Sequence, residues 1–259
     1  MLTGIIIFIF GLIIGSFLNV CIVRMPRVES IAGPRSRCPY CNNKINWYDN
    51  IPLISYILLA GKCRHCNMRI SFQYFVVEFL TALVFLFIYD YYGLSIDFSI
   101  YALFVALLLV ATFVDIKYRI IPDEVSLGGI VLGLFLSFIF PQMQEVNSNL
   151  SGLALSGLGV VAGAGITYLT GVAGSFVFKK EAMGLGDVKL MGAVGAFLGW
   201  KLAILTFFIA PFFGAVYGIV ILLRKGSHLI AYGPFLSIAA GIALFYGENI
   251  IRTLFLGYY

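Results

Sequence analysis

Charge is scarce in this chain. Only 11% of the 259 residues are Asp, Glu, Lys or Arg, 61% are hydrophobic, and the mean hydropathy is +1.00. A water-soluble globular protein carries far more polar surface than that, so this class is excluded. Other signals are missing too. No GxGxxG loop follows a strand pattern, so the glycines read as packing features and not as a phosphate cradle. No basic stripe is interleaved with exposed aromatics, which excludes nucleic acid as a partner. No thioredoxin-like βαβ pattern surrounds the cysteine pairs. No basic region precedes the first apolar run: Met1-Leu2-Thr3 carries no side-chain charge and Arg24 is the first basic residue. A cleaved secretory leader begins with such a region, so the first run is expected to be retained as a span.

What is present is a series of apolar runs near 4–23, 73–90, 98–114, 125–140, 151–177, 188–200, 202–222 and 233–250. Most are long enough to cross a bilayer as a helix, the run after Asp187 being the shortest. Backbone groups in lipid must be satisfied within each segment, which makes the expected fold all-α. We expect an integral membrane bundle of about eight transmembrane helices with a small cytoplasmic zinc-stapled domain between the first and second. The expected divisions are 1–23 (first helix), 24–72 (zinc-binding domain) and 73–259 (polytopic membrane domain).

Basic residues set the orientation. Of 17 Lys and Arg, 15 fall in 24–72, in 115–123, in 179–189 or at Arg224 and Lys225, all on one face; Lys201 and Arg252 fall opposite. By the positive-inside rule that face is cytoplasmic and both termini lie outside.

Segment 24–72 contains Cys38-Pro39-Tyr40-Cys41 and Cys63-Arg64-His65-Cys66. Two CxxC pairs at this separation match a tetrathiolate zinc site in which each pair forms one knuckle. Disulfides are the rival, but a cytoplasmic face is reducing. Four thiolates close the coordination shell of Zn2+, so the role is structural, and a loop-rich unit of this size needs such a staple. Arg37, Lys62 and Arg64 beside the cysteines favour the thiolate form. Cys21 is expected to be a buried small hydrophobe.

Acids in the apolar runs carry the chemistry. Asp115 closes the third run, where the helix dipole opposes a negative charge. Asp187 opens the sixth, in Met183-Gly184-Leu185-Gly186-Asp187. Gly184 and Gly186 strip side chains from the backbone there and would let a substrate chain approach closely. Two readings of Asp187 stand: a carboxylate capping the next helix, and one member of a pair with Asp115 at the cytoplasmic edge. A close pair shares a proton; one member activates water while the other donates to a peptide carbonyl oxygen. Glu78 is either a functional membrane acid or one paired with Arg24 or Arg69. Gly15, Ser16 and Asn19 form a small polar stripe suited to close helix packing with an interhelical hydrogen bond. Asp123 reads as an N-cap with Glu124 beside it, Pro211 as a kink in the seventh span, and His228 as a surface residue.

Gly184-Leu185-Gly186-Asp187 is similar to the GxGD signature of intramembrane aspartyl proteases. Together with Gly15-Ser16-Phe17-Leu18-Asn19-Val20, the run from Asp115 to Pro122-Asp123 and both CxxC pairs, it resembles the type IV prepilin peptidase family. Trp47-Tyr48-Asp49-Asn50-Ile51-Pro52, Ser55-Tyr56 and Gly61-Lys62-Cys63 resemble that family's cytoplasmic domain, whereas Ser71 to Glu78 departs from it in lacking the usual arginine, tyrosine and proline. The resemblance implies cleavage of a short basic leader from prepilins or pseudopilins, then N-methylation of the new terminus from S-adenosylmethionine, in a bacterial inner membrane. It implies Asp115 and Asp187 as the catalytic pair and leaves Asn19, Arg24 and Glu78 as candidates for the methyl-transfer site. Two other classes compete: a proton-coupled transporter using the same acids as a relay, and a non-enzymatic zinc-bearing scaffold.

Overall fold

The computed structural model describes residues 2–179, 183–223 and 231–255. Lys180, Arg224, Lys225 and His228, which entered the charge and ligand readings, lie outside the described residues. Among the described residues the regular structure is helical, with two isolated antiparallel bridges and no strand. Eight α-helices follow in order: α1 Leu2–Arg24, α2 Ile54–Leu58, α3 Phe72–Tyr92, α4 Ile96–Tyr118, α5 Asp123–Ile139, α6 Asn149–Phe178, α7 Leu185–Leu223 and α8 Gly233–Phe255. The chain divides into two compact units, residues 1–110 and 111–259.

Among the described residues six helices are long and apolar enough to cross a membrane: α1, α3, α4, α6, α7 and α8. Helix α5, at 17 residues, occupies the run expected at 125–140. The runs expected at 188–200 and 202–222 are the two arms of α7, a 39-residue helix whose backbone is interrupted at Gly199 (φ 77°, ψ 172°). Pro211, expected to kink the seventh span, lies inside α7, and the non-helical residue of that helix is Gly199 instead. The break has a physical supporter. A non-helical Gly199 disturbs the local ladder, and the nearby Ala196 carbonyl accepts from Ser156 Oγ at 2.7 Å and Gln144 Nε2 at 3.3 Å. Unpaired backbone carbonyls are costly in lipid, so these side chains make the break tolerable.

In the first unit, α1 lies directly on α3. A Cβ at Gly11 would stand 2.6 Å from Ala82 Cα, and one at Gly15 would stand 2.7 Å from Glu78 Cα. Asn19 Nδ2 donates to the Tyr74 carbonyl at 3.0 Å across the same seam. The stripe read from Gly15, Ser16 and Asn19 therefore packs helices and adds an interhelical hydrogen bond. Cys21 is buried, as its apolar setting suggests.

In the second unit, small residues set the packing of α6 on α7. A Cβ at Gly159 would strike the Gly195 carbonyl, one at Gly195 would strike the Gly159 carbonyl, and one at Gly163 would strike the Met191 carbonyl. Gly133 of α5 approaches Ala196 as closely, with a Cβ 2.6 Å from that side chain. The first arm of α7, from Leu190 to Gly199, is consequently buried on all sides. This rigid, enclosed segment follows immediately on Asp187.

Candidate active site and metal centre

Asp115 sits in the last turn of α4 and is 6% exposed. Its own helix end is a poor place for an anion, but a second helix answers it. Gly233, the first residue of α8, donates its N–H to Asp115 Oδ2 at 2.8 Å. First-turn N–H groups lack intrahelical partners and carry the positive end of the dipole, so a carboxylate satisfies them. A side chain at residue 233 would collide with the acid: its Cβ would lie 2.8 Å from Oδ2 and 3.3 Å from Asp115 Cγ. Arg119, four residues after Asp115, adds a favourable charge.

Asp187 is the third residue of α7, within its first turn. The turn is closed by hydrogen bonds from the Asp187 and Val188 N–H groups to the Gly184 carbonyl at 3.1 and 3.4 Å. The carboxylate folds back over this cap, so that a Cβ at Gly184 would lie 3.5 Å from Asp187 Oδ2. The acid thus lies at its own helix start, where a carboxylate is favoured. The Asp115 charge bears electrostatically on Asp187. Asp187 in turn acts on Tyr232, whose phenol is pushed up to about 12, first by desolvation and then by that charge.

Gly186 has a partner within the chain. A Cβ there would stand 3.2 Å from Ile121 Cβ, so the bare backbone at Gly186 seats the loop after α4, while Gly184 opens on Asp187. Asp123, expected as an N-cap, is the first residue of α5; the cap is Pro122, and the Asp123 carboxylate takes Lys189 Nζ at 2.7 Å. A proline cap has no side-chain acceptor, and an acid one position later faces the lysine of α7 instead. Ile121, Asp123, Gly186 and Lys189 thus hold the segment after Asp115 to the start of the helix that carries Asp187.

Glu78 does not pair with Arg24 or Arg69 as one reading held. It accepts the Leu53 N–H at 2.9 Å, while Arg24 donates to the Ser30 and Pro34 carbonyls at 2.9 and 2.6 Å.

The cysteines converge. Sγ atoms of Cys38, Cys41, Cys63 and Cys66 all lie within 4.8 Å of one another. Cys38 and Cys66 are 3.7 Å apart, close to the ~3.8 Å edge of a tetrahedron with metal–sulfur bonds of about 2.3 Å. Each pair is built the same way. Asn42 N–H returns to the Cys38 carbonyl and Asn67 N–H to the Cys63 carbonyl, both at 2.9 Å, with Asn42 and Asn67 at positive φ. Antiparallel bridges Arg37–Lys44 and Lys62–Arg69 close the two knuckles. Backbone N–H groups of Cys66 and His65 pull the Cys63 thiol down to about 6. At Cys66 the Met68 N–H also favours the anion, but desolvation and hydrogen bonds to Cys63, Cys41 and Cys38 outweigh it and push the thiol up to about 12. A bound cation would favour the thiolate form of all four cysteines. Arg64, expected to support the thiolates, is held by both oxygens of Asp49, with contacts of 2.6 to 3.0 Å, and lies over the Tyr48 ring. The four cysteines form a site that could hold a metal ion.

Residues 9–92 match the bacterial peptidase A24 N-terminal domain, and residues 102–219 match the type IV leader peptidase family. A prepilin leader peptidase/N-methyltransferase of Aeromonas hydrophila is 33% identical over 282 residues, covering 95% of this chain and 91% of that protein. The chain belongs to the type IV leader peptidase family. A relative of the same description from Myxococcus xanthus is 37% identical over 225 residues, 87% of this chain but 65% of that longer protein. The type 4 prepilin-like proteins leader peptide-processing enzyme of Escherichia coli O78:H11 is 34% identical over 257 residues, 91% of each chain. No solved structure matches the chain. The family segment 102–219 contains both Asp115 and Asp187, and the N-terminal segment 9–92 contains all four clustered cysteines, Asn19 and Glu78.

Sequence reasoning missed Tyr232 and Gly233. The available signal was Gly233-Pro234 at the head of an apolar run, a helix-start pattern. Nothing in it names the acid it serves, which lies 118 residues earlier.

Proposed function

We propose that this protein is a membrane aspartyl endopeptidase that removes the short basic leader of type IV prepilin-like substrates at the cytoplasmic membrane boundary. On the same reading it N-methylates the terminus so created. The observation that carries the proteolytic part is the seating of Asp115 and Asp187 at helix starts, that of α8 and that of α7, with the charge of one bearing on the other.

Two carboxylates working as a pair resist double ionisation, so one proton is shared. The ionised member takes a proton from water, which attacks the peptide carbonyl; the protonated member donates to the carbonyl oxygen. The same acids then return a proton to the leaving amine. Gly233 holds the Asp115 carboxylate in place, so little reorganisation is needed there as charge moves. Substrates of this class join a basic leader to an apolar helix, and cleavage at the membrane edge fits acids placed at helix ends. Basic residues cluster on the face that carries these ends, which supports a cytoplasmic placement for both the acids and the cysteine domain, with the termini outside, in a bacterial inner membrane.

Cys38, Cys41, Cys63 and Cys66 would hold Zn2+ as a structural ion, since four sulfurs leave no open position. S-adenosylmethionine, when bound, supplies an electrophilic methyl group. The test is to incubate the purified protein in lipid nanodiscs with a basic-leader prepilin, with and without S-adenosylmethionine, and weigh the products. Expected are a leader-free pilin in both samples and a gain of one methyl group, about 14 mass units, only with the cofactor. Intact prepilin in both would overturn the proteolytic reading.

A further inference from the structure

Helix α3 carries a buried acid that the proteolytic pair does not use. Glu78 is 7% exposed and accepts the Leu53 N–H at 2.9 Å. Asn19 is 1% exposed; its amide nitrogen is satisfied by the Tyr74 carbonyl, but its Oδ1 is buried with no partner. Tyr74 precedes Glu78 by one turn of α3, and Gly15, packed on the Glu78 backbone, precedes Asn19 by one turn of α1. Asn19 and Glu78 therefore line one seam of α1 and α3, about 5–6 Å apart along it.

Arg24 donates to the Ser30 and Pro34 carbonyls and Arg64 to Asp49, and no basic side chain among the described residues forms an ion pair with Glu78. A buried carboxylate beside an orphaned carbonyl oxygen lacks a cationic donor. A primary ammonium, with three N–H bonds and one positive charge, meets that need.

We propose that Glu78 and Asn19 bind the α-ammonium of the newly cleaved substrate and that Glu78 takes its proton for methyl transfer. This rests on the methylation reading above. Glu78 removes one proton from the ammonium. The freed lone pair forms a C–N bond to the methyl carbon of S-adenosylmethionine, whose C–S bond breaks and leaves its electrons on sulfur as a thioether. The product is a methylammonium, and the proton passes from Glu78 to water. Leu53 has a positive φ (φ 58°, ψ −48°), with its N–H on the acid that the ammonium would take.

S-adenosylmethionine also carries a primary ammonium, so the test separates the two sources. Full-length wild type, Glu78→Gln and Asn19→Leu in nanodiscs are assayed for leader cleavage, methylation, binding of S-adenosylhomocysteine, and binding of an unmethylated mature pilin peptide without cofactor. For Glu78→Gln we expect cleavage within twofold of wild type, methylation at least 100-fold slower, peptide binding at least tenfold weaker and S-adenosylhomocysteine binding unchanged. Raising the pH from 7 to 9 should restore the variant's methylation about tenfold, because an α-amine of pKa near 8 then loses its proton to solvent. Asn19→Leu should weaken peptide binding in the same way. Wild-type methylation with normal methylation by Glu78→Gln overturns the site; loss of cleavage in the variant shows a structural acid and overturns it too. Lost S-adenosylhomocysteine binding overturns the assignment to the peptide amine, and a wild type that never methylates overturns the parent reading instead.

Discussion

Asp115 accepts a hydrogen bond from the backbone N–H of Gly233 at 2.8 Å, across 118 residues of chain. The acid ends one helix and the donor begins another, so a carboxylate unwelcome at its own C-terminus is held by a foreign N-terminus. Gly233→Ala keeps the N–H but adds a Cβ in contact with the carboxylate, which must move. A displacement near 1 Å at a reacting group costs about 100-fold in rate, so kcat should fall by roughly that factor with KM little changed. Steady-state cleavage of a prepilin peptide checks it; wild-type kcat would show that Asp115 needs no such seat.

Glycine contacts in the second unit predict a steric effect on folding. Gly159 and Gly195 each lie against the other's backbone carbonyl, so no side chain fits at either position without separating α6 from α7. Gly195→Val should destabilise the protein by at least about 2 kcal/mol, the range for overpacking a tight core, and lower the yield of folded protein from detergent. Gly165 and Gly157 have nothing within 4 Å of an added Cβ, so Gly165→Ala and Gly157→Ala serve as controls and should leave thermal stability unchanged.

The break at Gly199 predicts a polar effect in an apolar place. Ser156→Ala removes the shorter of the two donors to the Ala196 carbonyl. Leaving a buried acceptor short of a partner costs about 1–3 kcal/mol, and Gln144 should limit the loss to the lower part of that range. The double variant Ser156→Ala/Gln144→Leu should cost more than the sum of the singles, as measured by thermal unfolding in nanodiscs.

Metal removal tests the cysteine cluster. Purified protein should contain one zinc per chain, and Cys63→Ser or a strong chelator should remove it. Without the ion, segment 24–72 has two short knuckles and few buried apolar side chains to hold it, so limited proteolysis there should speed up at least about tenfold while the membrane helices stay intact. Full metal occupancy in Cys63→Ser would argue against a four-sulfur site.

The legible part of this protein was what local chemistry writes into consecutive residues. Apolar runs longer than a membrane is thick gave the helices, and paired CxxC spacing gave the knuckles whose sulfurs converge within 4.8 Å. Asp115 and Asp187 stood out because charge is rare in such runs. Illegible were contacts between distant segments. Gly233, Tyr232 and the Leu53 N–H on Glu78 depend on which helix ends meet, and no periodicity encodes that. Gly199 was hidden for another reason: one glycine in an apolar run looks like packing, and only the donors supplied by Ser156 and Gln144 show why the helix can break there. Asp123 misled because an acid after proline at a helix start fits a cap, whereas its partner is Lys189, 66 residues on.

Substitution of each acid tests the central claim most directly. Asp115→Asn and Asp187→Asn keep the shape of the side chain and remove its ability to ionise. In nanodiscs, each should reduce prepilin cleavage to the limit of detection, at least about a 10³-fold loss for a group that both orients and activates the attacking water, while thermal stability and zinc content stay at wild-type values. Cleavage by either variant at a rate near that of wild type would show that these two carboxylates do not perform the reaction.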